Sequence, residues 1–375
     1  MKLLKRLELG LILMVAIIAC STPAAVTAPT VHPPNTFTED LSTLDTSAIT
    51  AMAEIAKFVS THDGVIQVAY ASDTNRVLAA YEDGYIIGWD GTTTNVVLEH
   101  DLKIASSNSL NFNISSTMLL GATESLIRSN KYNPTTEYIN GIALWNVETG
   151  DLIRCITYPC QDNPLSRDGY IGAAIDPTGQ WVLVYSESTV DVSNLSGTSS
   201  HLHLINNLDA DYQWNIGAVA VDAIHKRYAI ILQEGGVWLD TLDSTNYAYH
   251  ILADGQPNDL HAVLDAKFDP GGQRLAVIRD DILSVWQLAR DSEKELLHKE
   301  IPDAFTLTFD QEGKLLIVGV PNKIIVWDLE KQDIIAEYDT LGITSLTFSQ
   351  DNRLVIWGDV SGAVHIWGVV LPKSE

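Results

Sequence analysis

At 375 residues, 46% hydrophobic and 19% charged, the chain has enough apolar surface for a packed core, which excludes global disorder. Its 23 Lys and Arg stand against 48 Asp and Glu, a net charge of −25. The chain therefore lacks the basic footprint that binding nucleic acid or anionic lipid headgroups requires, and its charge reads first as a solubility device, with a basic partner as the sharper alternative.

Residues 1–19 have the three parts of an export signal. Lys2, Lys5 and Arg6 precede an apolar run from Leu9 to Ala19, which ends at Cys20. A bilayer core of about 30 Å takes about 20 apolar residues to cross, so this run is too short for a membrane span and fits a signal peptide. Ile17-Ile18-Ala19-Cys20 resembles a bacterial lipobox. The resemblance implies cleavage after residue 19, a lipid on Cys20, and an envelope location. With Ser21 next, that location is the outer membrane of a diderm or the outer face of a monoderm's cell membrane. A plain secretory peptide is the alternative. Residues 20–50 read as a tether rich in Pro, Thr and Ala, with its prolines concentrated in 21–36, a composition that disfavours both helix and core.

From 51 to 370 the chain repeats. Phe268, Phe309 and Phe348 each precede a turn signal, among them Asp269-Pro270-Gly271-Gly272, then an apolar run, a short break and a second run ending at Trp286, Trp327 and Trp367. Proline presets φ and glycine accepts positive φ, so these turns join short strands into antiparallel meanders. The pattern extends back to Trp89 in Gly88-Trp89-Asp90, to Trp145 in Trp145-Asn146-Val147-Glu148-Thr149-Gly150, and through two eroded middle units, making seven. A period near 40 residues with Trp-Asp endings resembles the WD-40 repeat. That family implies an all-β, seven-bladed propeller of four-stranded antiparallel blades. The last unit runs out of chain before its fourth strand, and residues 371–375 are a tail. The β-compatible run Ile55–Val59 is expected to close the ring, as such propellers do. The family's hydrogen-bonding set of His, hydroxyl, Asp and Trp is matched in the first unit by His62, Asp83 and Trp89, with Ala79 where the hydroxyl would stand.

In an oxidising compartment Cys155 and Cys160 favour a disulfide closing a small loop, against two separate thiols. No phosphate loop, nucleophile elbow, zincin pair or calcium loop is present, so an enzyme is not expected, and neither is a cofactor or a metal. His201 and His203 share a face of an extended segment without a third ligand nearby.

Extra length marks the candidate site. Phe309 to Trp327 takes 18 steps, whereas Ile114 to Trp145 takes 31. The excess falls at 123–139, and the stretches 187–200 and 157–169 also read as long loops expected on the same rim. Arg128, Lys131, Tyr132, Tyr138, Tyr158 and Arg167 supply the cationic and aromatic side chains that partner sites favour. The expected function is an envelope-anchored scaffold, monomeric by itself, binding a protein or peptide, with the membrane reached only through its lipid. The alternatives are a propeller enzyme or small-ligand binder using the central channel, and a subunit of an outer-membrane assembly complex.

Overall fold

Each repeat folds into one four-stranded antiparallel sheet, and there are seven. In blade 1, Val65–Ala71, Arg76–Tyr81, Tyr85–Asp90 and Val96–Asp101 pair in that order from the axis outward. The same meander recurs over 104–155, 172–204, 216–251, 263–300 and 306–339. Blade 7 takes three strands from the end of the chain, Ile343–Phe348, Leu354–Asp359 and Ala363–Gly368. Its fourth is Ala53–Val59, antiparallel to the last of these, with Ala53 opposite Gly368 and Val59 opposite Ala363. Innermost strands touch from blade to blade, including Ile343–Phe348 against Val65–Ala71. The computed structural model describes residues 41–370 apart from 72–73, 92, 94, 103, 113–116, 124–127, 131–132, 138–140, 156–171, 177, 187, 196–199, 205–214, 223, 243–249, 252–260 and 289–292. The signal-like segment and Cys20 lie outside these residues. Among them no helix is long and apolar enough to cross a membrane.

The burial follows from stacking sheet on sheet. The second strand of blade 6, Leu315–Val320, is buried at every position, and the third, Lys323–Asp328, at all but its first. Its outermost strand, Asp333–Asp339, is half exposed. The inner strands have a neighbouring blade on each face, so they read as continuous Ile, Leu and Val, whereas the outer strand meets water and mixes in charge. The core is thus a set of layers between blades rather than one central mass. Phe58, Leu354 and Ile366 of blade 7, for example, pack with Val68, Tyr70 and Trp89 of blade 1. Close approach at that seam requires Gly358, where a Cβ would run into the Val65 side chain.

The repeat is also written in irregularities. A β-bulge opposes the outermost strand at Trp89, Trp145, Trp286 and Trp327, and a fifth lies opposite Trp367 in the closing strand. Each bulge adds local twist where the strand carries its indole, which turns the blade edge around the ring.

Two expectations need correction. Residues 41–50, read as part of the tether, belong to the folded body. Leu41 bridges to Val370, the Leu44 N–H donates to the Asn352 carbonyl at 2.7 Å, and Asn352 Nδ2 returns a bond to the Leu44 carbonyl at 3.1 Å. Leu44, Ile49 and Met52 are buried against Leu346, Trp357 and Trp367, and the Tyr338 hydroxyl donates to the Ile49 carbonyl. Isolated apolar residues in a Ser/Thr-rich stretch carry no period, which is why composition alone assigned them to a linker. Likewise 187–200 is not one long loop. It contains the third strand of blade 3, Thr189–Asn194, paired with Trp181–Tyr185, and the second-to-third turn before that strand, 186–188, is of ordinary length.

Candidate functional site

Antiparallel meanders send their connections to two faces. Second-to-third turns and blade-to-blade connections emerge on one, here called upper; first-to-second and third-to-fourth turns emerge on the other, here called lower.

On the upper face the first unit forms its His–Asp pair. His62 Nδ1 lies 2.6 Å from Asp83 Oδ2, and its Nε2 lies 3.7 Å from Glu99. The ring stacks on Tyr85, with centroids 4.2 Å apart, and leans on Tyr81. Trp89 sits away from this pair, packed against Phe58. Blade 5 holds a second pair that motif matching missed. His261 Nδ1 lies 2.6 Å from Asp280 Oδ2, and the Ala262 N–H donates to Asp280 Oδ1 at 2.8 Å. The hydrogen bond from His261 holds the Asp280 carboxyl below the usual carboxylate range, against the effect of burial. The signal was available: His precedes Asp by 21 residues in the first pair and by 19 in the second. These pairs tie each incoming connection to the turn beside it, a structural role. Trp145, Trp286, Trp327 and Trp367 are buried on third strands, and the indole N–H groups of Trp327 and Trp367 reach no acceptor among the described residues. The family's hydrogen-bonding set is therefore only partly assembled.

The lower face carries a belt of buried turn carboxylates. Asp269 Oδ1 accepts from the Gln273 and Arg274 N–H groups at 2.6 and 2.8 Å, and Asp310 Oδ1 from Lys314 and Leu315 at 2.7 and 2.8 Å. Ser349 Oγ does the same with Arg353 and Leu354 at 3.1 and 2.9 Å. The belt also links blades, since Arg227 donates to the Gly272 carbonyl and Arg274 to the Gly313 carbonyl. Gly313 has φ +67, and a Cβ there would stand 2.6 Å from Asp269 Oδ2. Asp269 and Asp310 thus serve their own turns.

Burial pushes the Asp310 carboxyl above the usual range, opposed by bonds from the Leu315 and Lys314 N–H groups. With the folded-state pKa raised, this group's contribution to stability is fullest below the unfolded value of about 3.9 and declines as pH rises through the folded value. Asp310→Asn keeps an acceptor for both N–H groups and carries no charge. Its stability relative to the unsubstituted chain is expected to improve from pH 4 to pH 7, measured as urea midpoints. A difference that stays constant with pH would contradict the burial cost.

The expected partner-binding residues are only partly placed. The insertion of blade 2 forms a small hairpin, Arg128–Asn130 paired with Asn133–Glu137, between the second and third strands of that blade, and Arg128 starts it. Lys131, Tyr132, Tyr138, Tyr158 and Arg167 lie outside the described residues, as does Cys160; Cys155 ends the strand Leu152–Cys155. His201 and His203 lie opposite Val192 and Val190 in blade 3. Among the described residues no three His, Cys, Asp or Glu side chains gather as a metal site.

No protein-family profile and no curated protein matches the sequence. Among solved structures the chain is similar to the crystal structure of the Cps50 (Swd1) β-propeller domain of Myceliophteria thermophila, with a TM-score of 0.64 at 14% identity over 85% of this chain and 100% of that one. That likeness and the seven closed sheets together establish the fold: the chain is a seven-bladed β-propeller.

Proposed function

We propose that the chain is an exported, lipid-anchored propeller of the WD-40 type that serves as a protein-interaction scaffold, binding a protein or peptide through its upper face. The observation that carries this reading is the placement of extra chain. On a ring whose second-to-third turns elsewhere span two to four residues, as at 82–84 or 280–281, blade 2 alone inserts a hairpin among the described turns, and it does so on the upper face. Loops held on a rigid frame are where recognition concentrates. The lipobox-like Ile17-Ile18-Ala19-Cys20 supports the anchor, and the Pro-rich stretch before residue 41 supplies the reach from lipid to folded body.

Replacing 124–140 by a short Asn-Gly turn joins Thr123 to Gly141, which are already paired neighbours. This trimmed chain is expected to keep its thermal midpoint and to lose its partner in cross-linked capture from detergent-solubilised membranes. Undiminished capture by the trimmed chain would remove the hairpin from the site. Metabolic labelling with a fatty acid, lost in Cys20→Ala, tests the anchor.

A further inference from the structure

Away from the hairpin, the upper face of blades 5, 6, 7 and 1 has a chemistry of its own. Its apolar side chains are unusually bare. Leu341, in the connection from blade 6 to blade 7, is 82% exposed, and Val360, in the second-to-third turn of blade 7, is 66% exposed. They are neighbours: the Val360 N–H donates to the Gly342 carbonyl at 2.9 Å, and a Cβ on Gly342 would stand 2.7 Å from Val360 Cγ2. The surface continues from there into blade 1. A Cβ on Gly64 would stand 3.3 Å from the Val360 carbonyl and 3.2 Å from Glu82 Oε1. Val59, 60% exposed, leads into that same connection.

The charge around these side chains is mainly negative: of the cations at the strand edges, Lys323 is paired with Glu337 at 2.9 Å and Arg279 donates to the Gly235 carbonyl at 3.1 Å. The connections 60–64, 82–84, 280–281, 301–305, 321–322, 340–342 and 360–362 carry Asp63, Glu82, Asp83, Asp280, Asp281 and Asp303, and no Lys or Arg. The lower-face turns pair their carboxylates with lysines, Lys314 with Glu312 at 2.7 Å and Lys331 with Asp328 at 2.7 Å, whereas on the upper face Asp83 and Asp280 pair with histidines. Two adjacent bare apolar groups offer a seat for one apolar anchor, and the predominantly acidic surround selects the sign of what comes to it.

We infer that this sector of the upper face docks a basic polypeptide segment bearing an apolar anchor, the anchor seating on Leu341 and Val360 and its Lys or Arg residues meeting the carboxylates of blades 5 and 1. This rests on the scaffold reading and names the chemistry of its partner. An acidic segment would be repelled, and an uncharged one would gain only the small apolar contact.

The test uses the chain from residue 20 onward and three labelled synthetic peptides: one containing Lys and Leu, its counterpart with Glu for Lys, and its counterpart with Ser for Leu. Fluorescence anisotropy is expected to show binding of the first alone. Leu341→Ser with Val360→Ser should weaken it about tenfold without shifting the thermal midpoint. Asp63→Lys with Glu82→Lys should weaken it more than Glu312→Lys with Glu330→Lys, which alters the net charge equally on the lower face. Binding that ignores the Leu341 and Val360 changes, or responds equally to both charge pairs, overturns the docking surface, as does failure of all three peptides to bind. The scaffold reading stands or falls separately, on whether the intact chain retains any partner that the trimmed chain loses.

Discussion

Phe58→Ala is expected to destabilise the propeller by about 3–5 kcal/mol. Phe58 is 4% exposed, and its ring stacks on Trp89 with centroids 5.1 Å apart and planes inclined by 22°. The two belong to different blades: Phe58 to the strand that completes blade 7, Trp89 to the third strand of blade 1. Around them Leu354, Ile356 and Val364 of blade 7 face Val68, Tyr70 and Val77 of blade 1. Truncation to Ala would open a cavity in this layer, and the layer cannot collapse to fill it. The strands on both sides are held at fixed register by their own ladders, so the cost stays at the upper end for a core truncation. Such a loss is a large share of the 5–15 kcal/mol typical of a whole domain. Lys57→Ala, an exposed neighbour on the same strand, should stay within about 0.5 kcal/mol. Urea denaturation followed by far-UV circular dichroism compares the two. A Phe58→Ala loss below about 1 kcal/mol would mean that the seam is held by the backbone ladder and not by this stack.

The legible and illegible parts of this molecule divide by the range of the interaction. Trp286, Trp327 and Trp367 recur because these third strands set the same large side chain at the same bulge, so local packing leaves a period that can be counted. Asp269-Pro270-Gly271-Gly272 is a turn for reasons contained in its own residues. Leu44 and Ile49 are different. They are buried because Leu346, Trp357 and Trp367, some three hundred positions later, offer a place to pack, and nothing within the stretch announces it. In the eroded middle blades Thr189–Asn194 pairs with Trp181–Tyr185 and buries Val190 and Val192 in alternation with polar residues, a local period too short to stand out against the Ser- and Thr-rich stretch around it. For the candidate site, extra length between Ile114 and Trp145 marked a real insertion, because counting steps between fixed landmarks needs no knowledge of contacts. The Leu341–Val360 sector escaped the same approach: its connections are of ordinary length, and its distinctness lies in which residues become neighbours across a blade seam.

The last such long-range contact gives the second large effect. His365→Ala should cost about 3 kcal/mol. His365 is 6% exposed on the third strand of blade 7, with its ring flat against Trp357 at 3.7 Å and 3°. Its Nδ1 lies 2.6 Å from Glu54 Oε2 and its Nε2 lies 3.0 Å from Asp359 Oδ2. Glu54 comes from the closing strand and Asp359 from the end of the second strand, so one imidazole fastens both to the third strand that lies between them. A carboxylate can only accept, so removing the ring leaves Asp359 Oδ2 buried without that donor. The Glu54 side chain is 43% exposed and recovers water, which holds the cost near the lower end for a broken buried pair. The pH dependence carries an independent mark. Burial pushes the Asp359 carboxyl up, but hydrogen bonds from Ser361, His365 and the Ala363 N–H outweigh it and hold it below the usual range. A carboxyl with a depressed folded-state pKa stabilises the fold above its unfolded value and loses that contribution as pH falls through the folded one. Without His365 less of that contribution exists to lose, so the gap between the two proteins should narrow from pH 7 towards pH 2. Guanidinium midpoints across that range measure it. A gap independent of pH would assign the loss to the stacking on Trp357 instead of to the carboxylates.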